Sequence, residues 1–528
     1  MEGQGLFAQR TVGLAALALL GVAAGLVVFD DAFAPAQGQV AQRTVVLLVA
    51  GLLGASLLHG MACVVAFRRP PPLTLVIVVG AAARLFLLFG APGPGLEGDP
   101  DRLRLEGRLL NAGVSPYEFT PAQIATPDPV LEGAFTPERA TRMARARAAL
   151  TGEDAPDPAA VKAPHIRSIQ TPLVHAVAGL ADRIKPESTR GLAFLALVAD
   201  TLAVFFLVMA LRSLALPLSW VIVYAWSPIL VKEVYGTLAV DAFVLPAIAG
   251  MVWCLAAGRR LAAAIPLALS AAVRPVMLVL NLALVRRLGP LGVATALVLV
   301  AAVWFPFVGT DVAPESTVQG TIHVWRHYEY NSVAESLARG ALSEVPVRAK
   351  GGLRLAGVEL QTAGESPAAL WAKLVCAALL LALILFSVLR PNDRVLERRN
   401  REASLDELFL VLLGILIVSP VLHPWHALWL LPVLAVRPAP SWILLPGIVS
   451  VSYVTHLAGP QAADFTLLGG KLSFRVLEFG GFALLWLLDR LWRPVLLGSD
   501  EEDEPGDVED GLLDFQESAD PAEGAAVY

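Results

Sequence analysis

The chain has 528 residues, of which 56% are hydrophobic and only 16% charged, with a formal net charge of −6. A soluble globule of this size carries about a quarter charged residues, so the composition excludes that class and points to a multi-spanning membrane protein. The mild negative charge argues against nucleic-acid binding. Three isolated cysteines, Cys63, Cys254 and Cys376, argue against a disulfide framework or a cysteine-based zinc site.

The predicted elements begin with an apolar run at 11–29, read as an uncleaved first span. Further apolar runs follow at 44–67, 73–90, 191–211, 214–230, 237–257, 290–308, 368–389, 405–421, 425–436, 441–456 and 476–488. The expectation is an all-α polytopic membrane protein of about 12 transmembrane helices with two large extracytoplasmic loops. Arginines at 68–69, 212, 259–260, 286–287, 390–401, 490 and 493 gather on one side if both termini are cytoplasmic. The run at 261–285 has an arginine pair outside each end and Arg274-Pro275 in its middle. It reads as a helical hairpin with Arg274 at the apex, and an intramembrane arginine is a candidate functional residue.

This divides the chain into an N-terminal three-helix segment (1–90), a first extracytoplasmic loop with surface helices (91–190) and a membrane core (191–308). A second outer loop (309–367), C-terminal helices (368–497) and an acidic tail (498–528) follow. The tail composition predicts disorder on the cytoplasmic side. Within the first loop, 102–113 reads as a short helix ending at Gly113, and 136–150 as a charged surface helix. The segment after Pro172 reads as an amphipathic helix along the membrane surface.

The candidate chemistry lies in the outer segments. Glu97, Asp99 and Asp101 crowd where the chain leaves apolar surroundings, and a carboxylate there can have its pKa tuned for proton abstraction. Arginines and histidines such as Arg167 and His165 suit a phosphate. HVWRHYEYNS at 323–332 and SPVLHPWHALWLLP at 419–432 add aromatic and polar groups suited to an amphipathic substrate. His423 and His426, without a third ligand, make a weak metal motif.

These segments resemble the C-type (GT-C) glycosyltransferases, polytopic enzymes that take a sugar from a polyprenyl-phosphate donor. GDPDRLRLEGRLLNAGVSPY resembles the family's "DDVYRYLWEGRVLAAGVNPY", with Asp99, Arg102, Glu106-Gly107-Arg108 and Gly113 to Tyr117 matching. Glu97 and Asp99 also match the D-x-D of GPI-type mannosyltransferases. PHIRSIQTP resembles "HPxIRTIYPP", and SPILVKEVYGTLAVDAF resembles "NPLVIKExxxxxHxDAL". VWRHYEYNS and LHPWHALWLLP resemble "FxxxWxFNS" and "xxPWYxLWxLP". The likeness runs in order from about residue 97 to 432. It departs at Gly98, Asp101, Leu103, Leu105, Gln170 and Ala239, and the stretch between Tyr117 and Pro164 is expanded.

The resemblance implies inverting transfer of a sugar, mannose being one candidate, to an extracytoplasmic hydroxyl of a lipid, glycan or protein acceptor in a bacterial plasma membrane. It implies Asp99 as general base, with Glu97 or Glu106 orienting the acceptor or holding a divalent cation. Arg167, Lys232, Arg274 and His165 would meet the donor phosphate. Tyr117, Trp325, Asn331, His423 and Trp425 would line the substrate path. The alternatives are a transporter or lipid flippase, and an inactive scaffold of the same fold.

Overall fold

The structure is a computed structural model. It describes residues 2–29, 42–90, 100–152, 154–186, 188–307, 330–342, 354–355, 358–359, 367–389, 397–455, 464–467, 470–473 and 476–497. Glu97, Asp99 and Trp325, the acidic tail and most of the second outer loop lie outside the described residues.

The described chain is helical apart from two short antiparallel ladders, Arg354–Leu355 with Val358–Glu359 and Asp464–Leu467 with Gly470–Ser473. Helices α1 (Glu2–Val28), α2 (Gln42–Arg68) and α3 (Leu73–Gly90) follow the first three apolar runs. A small domain with its own core, set apart from the apolar bundle and here called the outer domain for that placement alone, holds α4 (Pro100–Asn111), α5 (Pro137–Ala149) and α6 (Pro172–Ile184). The core continues with α7 (Arg190–Ser213), α8 (Leu245–Ala256), α9 (Ala264–Val273) and α10 (Val285–Trp304). Then come α11 (Ala334–Leu342), α12 (Pro367–Leu389), α13 (Glu397–Val418), α14 (Pro440–Val449) and α15 (Gly481–Leu497).

Among the described residues, 6 helices are long and apolar enough to cross a membrane, or 7 if one bent pair counts as a span. They lie in α1, α2, α3, α7, α10 and α12. The apolar runs at 214–230, 237–257, 425–436 and 441–456 are instead built from short α-helices and 3-10 turns, with a π turn at Lys232–Gly236 between the first two. The pair Pro228–Gly236 and Val240–Ala256 bends by 108°. The physical reason is burial. Residues 221–242 are buried throughout, so protein surrounds that backbone, and broken helices are tolerated at membrane depth only there.

The break expected at Arg274-Pro275 is present: α9 ends at Val273, Arg274 is extended (φ −126°, ψ 103°), and a 3-10 turn follows. Val273 O lies 3.5 Å from Thr171 Oγ1, next to the outer domain. Arg286 Nη1 donates to Val388 O at 2.7 Å, at the other end of the bundle. Arg287, one of the pair flanking the 261–285 run, does not face solvent. It is buried and forks onto Glu407, at 2.8 and 2.7 Å.

One further buried ion pair staples the spans. Arg84 in α3 donates to Asp200 in α7 at 2.5 Å and to Ala225 O at 2.7 Å, while Tyr235 donates to Asp200 at 2.8 Å. A lone charge in hydrocarbon is costly, so each needs the other. Asp200→Leu should destabilise the protein by about 3–5 kcal/mol, because Arg84 keeps an uncompensated buried charge. The double variant Arg84→Leu/Asp200→Leu should recover part of the loss. Thermal unfolding in detergent measures both.

Candidate functional site

The outer domain is fastened through Glu106-Gly107-Arg108 on α4, and each of the three faces α6. Gly107 packs so closely that an added Cβ would sit 2.4 Å from Ala178 O. Arg108 Nε donates to Asp182 Oδ1 at 3.1 Å, and Asn111 Nδ2 donates to Gly179 O at 2.8 Å. Glu106 Oε2 lies 3.3 Å from His175 Nε2, while His175 Nε2 and Ser168 Oγ share a hydrogen bond of 2.8 Å. Arg102 Nε donates to Glu106 Oε1 at 3.1 Å, and its other nitrogens donate to Lys162 O and Ile166 O at 2.9 and 2.7 Å. The motif is therefore a clamp that fixes α4 and the 162–171 segment against α6.

Glu106 is 2% exposed, so it does not touch an acceptor from solvent. In the structure it is engaged by Arg102 and His175 within the clamp, not by the open contact expected of an acceptor-orienting group. Arg102 already occupies one of its oxygens, which makes Glu106 a poor cation ligand as well. Among the described residues no group of three or more His, Cys, Asp or Glu could hold a metal ion. Burial pushes the Glu106 carboxyl up, but the neighbouring His175 and Arg102 outweigh it and hold the pKa below the usual range.

Tyr117 caps this clamp. Its hydroxyl donates to Gln170 O at 2.6 Å, its ring meets His175 edge-on at 4.8 Å, and it stacks on Trp304 of α10 at 6.5 Å. Burial and then Glu106 push its phenol well up. Amphipathic α6 was expected along the membrane surface. Its buried face, including Val174, His175 and Ala178, packs on α4 and α7, while Leu180 and Ile184 stay exposed.

Directly below Thr171 lies the second cluster. Arg274 forks onto Asp241, with Nε to Oδ1 at 3.2 Å and Nη2 to Oδ2. Trp429 Nε1 also donates to Asp241, at 2.8 Å. The arginine expected at the apex of the hairpin thus has a fixed partner. Its side chain is still 25% exposed, against 1% for Asp241, so an edge of the guanidinium faces outward.

Aromatic groups roof the same end of the bundle. The His423 ring stacks between Tyr330 at 4.2 Å and Trp425 at 4.1 Å, and His423 N donates to His426 Nδ1 at 3.2 Å. Asn331 takes a left-handed φ of 52° and donates through Nδ2 to Glu478 at 2.8 Å. Tyr330 O–H donates to Ser452 O at 3.2 Å, one residue from Tyr453. Lys232 is sealed beneath at 1% exposure, donating to Glu233 at 2.9 Å and to the Tyr453 hydroxyl. An apolar groove of about 400 Å³ runs from Phe243 and Val273 at this end to Trp253 and Cys254.

The structure thus brings together Arg274, His423, Trp425 and Asn331 at one end of the bundle, with Lys232 buried below. Glu106 and Tyr117 stand above them in the outer domain, and Arg167 and His165 lie on its 162–171 segment. Sequence reasoning missed Arg84, His175, Asp241, Tyr453 and Glu478. For Arg84 the signal was available, because an arginine inside an apolar run predicts a buried carboxylate partner. Comparison with protein-family models, with curated proteins and with solved structures finds no match.

Gly107→Ala should part α4 from α6, costing about 1–3 kcal/mol by overpacking. Increased protease cleavage of the outer domain would report it. Glu106→Gln should destabilise the outer domain at neutral pH. With a depressed native pKa, the ionised Glu106 stabilises above the unfolded value of about 4.3 and loses that contribution as pH falls through the native value. Urea unfolding should therefore show the wild-type advantage beginning to shrink as pH falls below about 4.3 and vanishing once pH has passed the depressed native value.

Proposed function

We propose that the chain is a membrane glycosyltransferase of the C type, transferring a sugar from a polyprenyl-phosphate donor to an extracytoplasmic hydroxyl with inversion. The observation that carries the reading is the junction at Thr171 and Val273. There the outward edge of Arg274 lies beneath the domain whose first helix follows directly on the acidic run containing Glu97 and Asp99. What supports the reading is that the arginine it gives to the phosphate and the domain entered by the helix after the acidic run come from distant parts of the chain yet meet at this junction. The groove beside Phe243 and Val273 suits the isoprenoid chain.

In this reading Asp99 takes the proton of the acceptor hydroxyl as the oxygen attacks the anomeric carbon. The bond from that carbon to the phosphate oxygen breaks, and its electron pair leaves with the polyprenyl phosphate. Negative charge grows on the departing phosphate, and Arg274 with Arg167 stabilises it. His165 stands on the same segment as Arg167. Lys232, closed off from solvent, holds Glu233 and Tyr453 in place beneath. His423 and Trp425 guide the substrate, together with Asn331 and Trp325. The expected topology belongs to the same proposal: twelve crossings, reached by counting broken segments as spans, a hairpin with its apex at Arg274, and cytoplasmic termini.

A transporter is the second reading, favoured by the buried Arg84–Asp200–Tyr235 and Lys232–Glu233–Tyr453 networks inside the bundle. None of these residues lines the groove, which weighs for the transferase. The two readings part in proteoliposomes supplied with labelled polyprenyl-phosphate sugars and a panel of lipid and glycan acceptors. Sugar transfer should appear, and Asp99→Asn should reduce it by about 10²–10⁴-fold with unchanged folding. Movement of the intact lipid or solute without transfer would favour the transporter.

A further inference from the structure

Helix α6 belongs to the outer domain, yet one side of it is part of the membrane bundle. Val174, Ala178 and Ala181 pack into the bundle's core and not into the domain's small core around Leu109 and Met143. The helix runs antiparallel to α7. Near its end, Ala181 O lies so close to Gly191 that an added Cβ would strike it. Near its start, Leu173 and Val177 line the apolar groove together with Ala199 and Leu202. At about 1.5 Å per residue, Ala199 lies roughly 13 Å along α7 from Arg190. Helix α7 is long and apolar enough to cross a membrane from Arg190 onward, and Phe194 and Val198 in its opening turns are exposed. Helix α6 therefore descends beside the opening turns of a span.

Leu173, Val177, Leu180 and Ile184 recur every three or four residues and so share another side of α6. Leu180 and Ile184 are 49% and 46% exposed. This apolar face continues without a break into surfaces that spans present to lipid. Leu202 of α7 and Ile265 and Leu269 of α9 share the groove with Leu173 and Val177, and all three are exposed. Charge marks where the lipid tails end: Lys185 and Arg190 are exposed at the end of α6 and the start of α7, where long cationic side chains reach headgroup phosphates. Aromatic residues mark the boundary beneath. Trp304 and exposed Phe305 close α10, and Tyr117 joins Trp304 to His175 of α6, as rings gather at a membrane interface. We propose that bilayer acyl chains cover the Leu173–Val177–Leu180–Ile184 face, so that α6 stands inserted in one leaflet and anchors the outer domain in the membrane. The Thr171–Val273 junction, with Arg274 beside it, then lies beneath the lipid headgroups and not at the aqueous surface. The partner is the lipid itself, and the inference needs neither a donor nor a reaction.

Spin labels read the contact in the full chain, reconstituted in vesicles of phosphatidylcholine and phosphatidylglycerol. The three buried cysteines are first replaced, as Cys63→Ala, Cys254→Ala and Cys376→Ala. One nitroxide is then attached at Leu180→Cys or Ile184→Cys. Phe205→Cys, on the exposed side of α7, is the lipid reference, and Arg145→Cys, exposed on α5, is the water reference. Molecular oxygen concentrates in hydrocarbon, whereas a hydrophilic nickel chelate stays in water. Labels at Leu180 and Ile184 should be relaxed by oxygen and lose relaxation by nickel, as at Phe205, with the reverse at Arg145. Nickel relaxation at Leu180 and Ile184 equal to that at Arg145 would overturn the proposal. Protection from both reagents would overturn it too, because protein then covers the face. The unaltered chain gives a second reading that depends on no substitution. A phospholipid carrying a photoreactive acyl chain should label the 172–184 peptide as well as 190–213, and labelling of 190–213 without 172–184 contradicts the insertion. Sugar transfer is not read in either experiment, so the anchor stands or falls apart from the reaction proposed above.

Discussion

One carboxylate ties the working end of this bundle together. Asp241 is fully buried and takes bonds from Arg274 and Trp429, which come from two other broken segments. A helix interrupted inside a membrane leaves backbone groups and charges that water cannot satisfy, so the protein must satisfy them itself. Here three interruptions meet and satisfy one another. Arg274 is fixed at a break, the 3-10 turn at Asp241 is held open, and His426 is carried alongside through Trp429, ring to ring at 5.0 Å. The continuous lipid-facing helices can then remain plain apolar rods, while irregular backbone and ionisable groups concentrate where protein surrounds them.

The outer domain follows from that arrangement. It touches the bundle at Thr171 and Trp304, and its two principal helices approach to backbone contact at Gly107. Such an approach permits no side chain, which explains the glycine between Glu106 and Arg108. The same closeness removes Glu106 from solvent and makes it a support for the chain that leads into it. Groups at this end differ in whether they keep an outward edge. Arg274 has one, and so does Arg167. Lys232 does not.

Much of this was legible in the sequence where one physical signal dominated. Hydropathy located α1, α2, α3, α7 and α12, because lipid-exposed spans must be apolar over their whole length. Proline located the break at Arg274, and glycine the end of α4, where Gly113 has a φ of 71°. Thr136 predicted the start of α5 and caps it, accepting from Arg139 N at 3.3 Å. The runs at 214–257 and 425–456 misled for one reason: hydrophobicity does not distinguish a residue facing lipid from one facing protein. Pairings across the chain, such as Arg84 with Asp200 or Asn331 with Glu478, were invisible because sequence spacing carries no distance between helices. The clamp role of Glu106 was hidden too, since a buried acid and a catalytic acid look alike until the partner His175 is placed.

The central claim is that a lipid phosphate is handled at the end of the bundle where Arg274 meets the outer domain. It is tested most directly by photocrosslinking. A polyprenyl-phosphate sugar with a photoreactive group beside the phosphate would be bound to the protein, crosslinked and mapped by mass spectrometry. The account predicts labelled peptides from the 162–171 segment and from around Arg274, with labelling suppressed by unlabelled donor. Labelling confined to the opposite end, around Arg259 or Arg286, would contradict it.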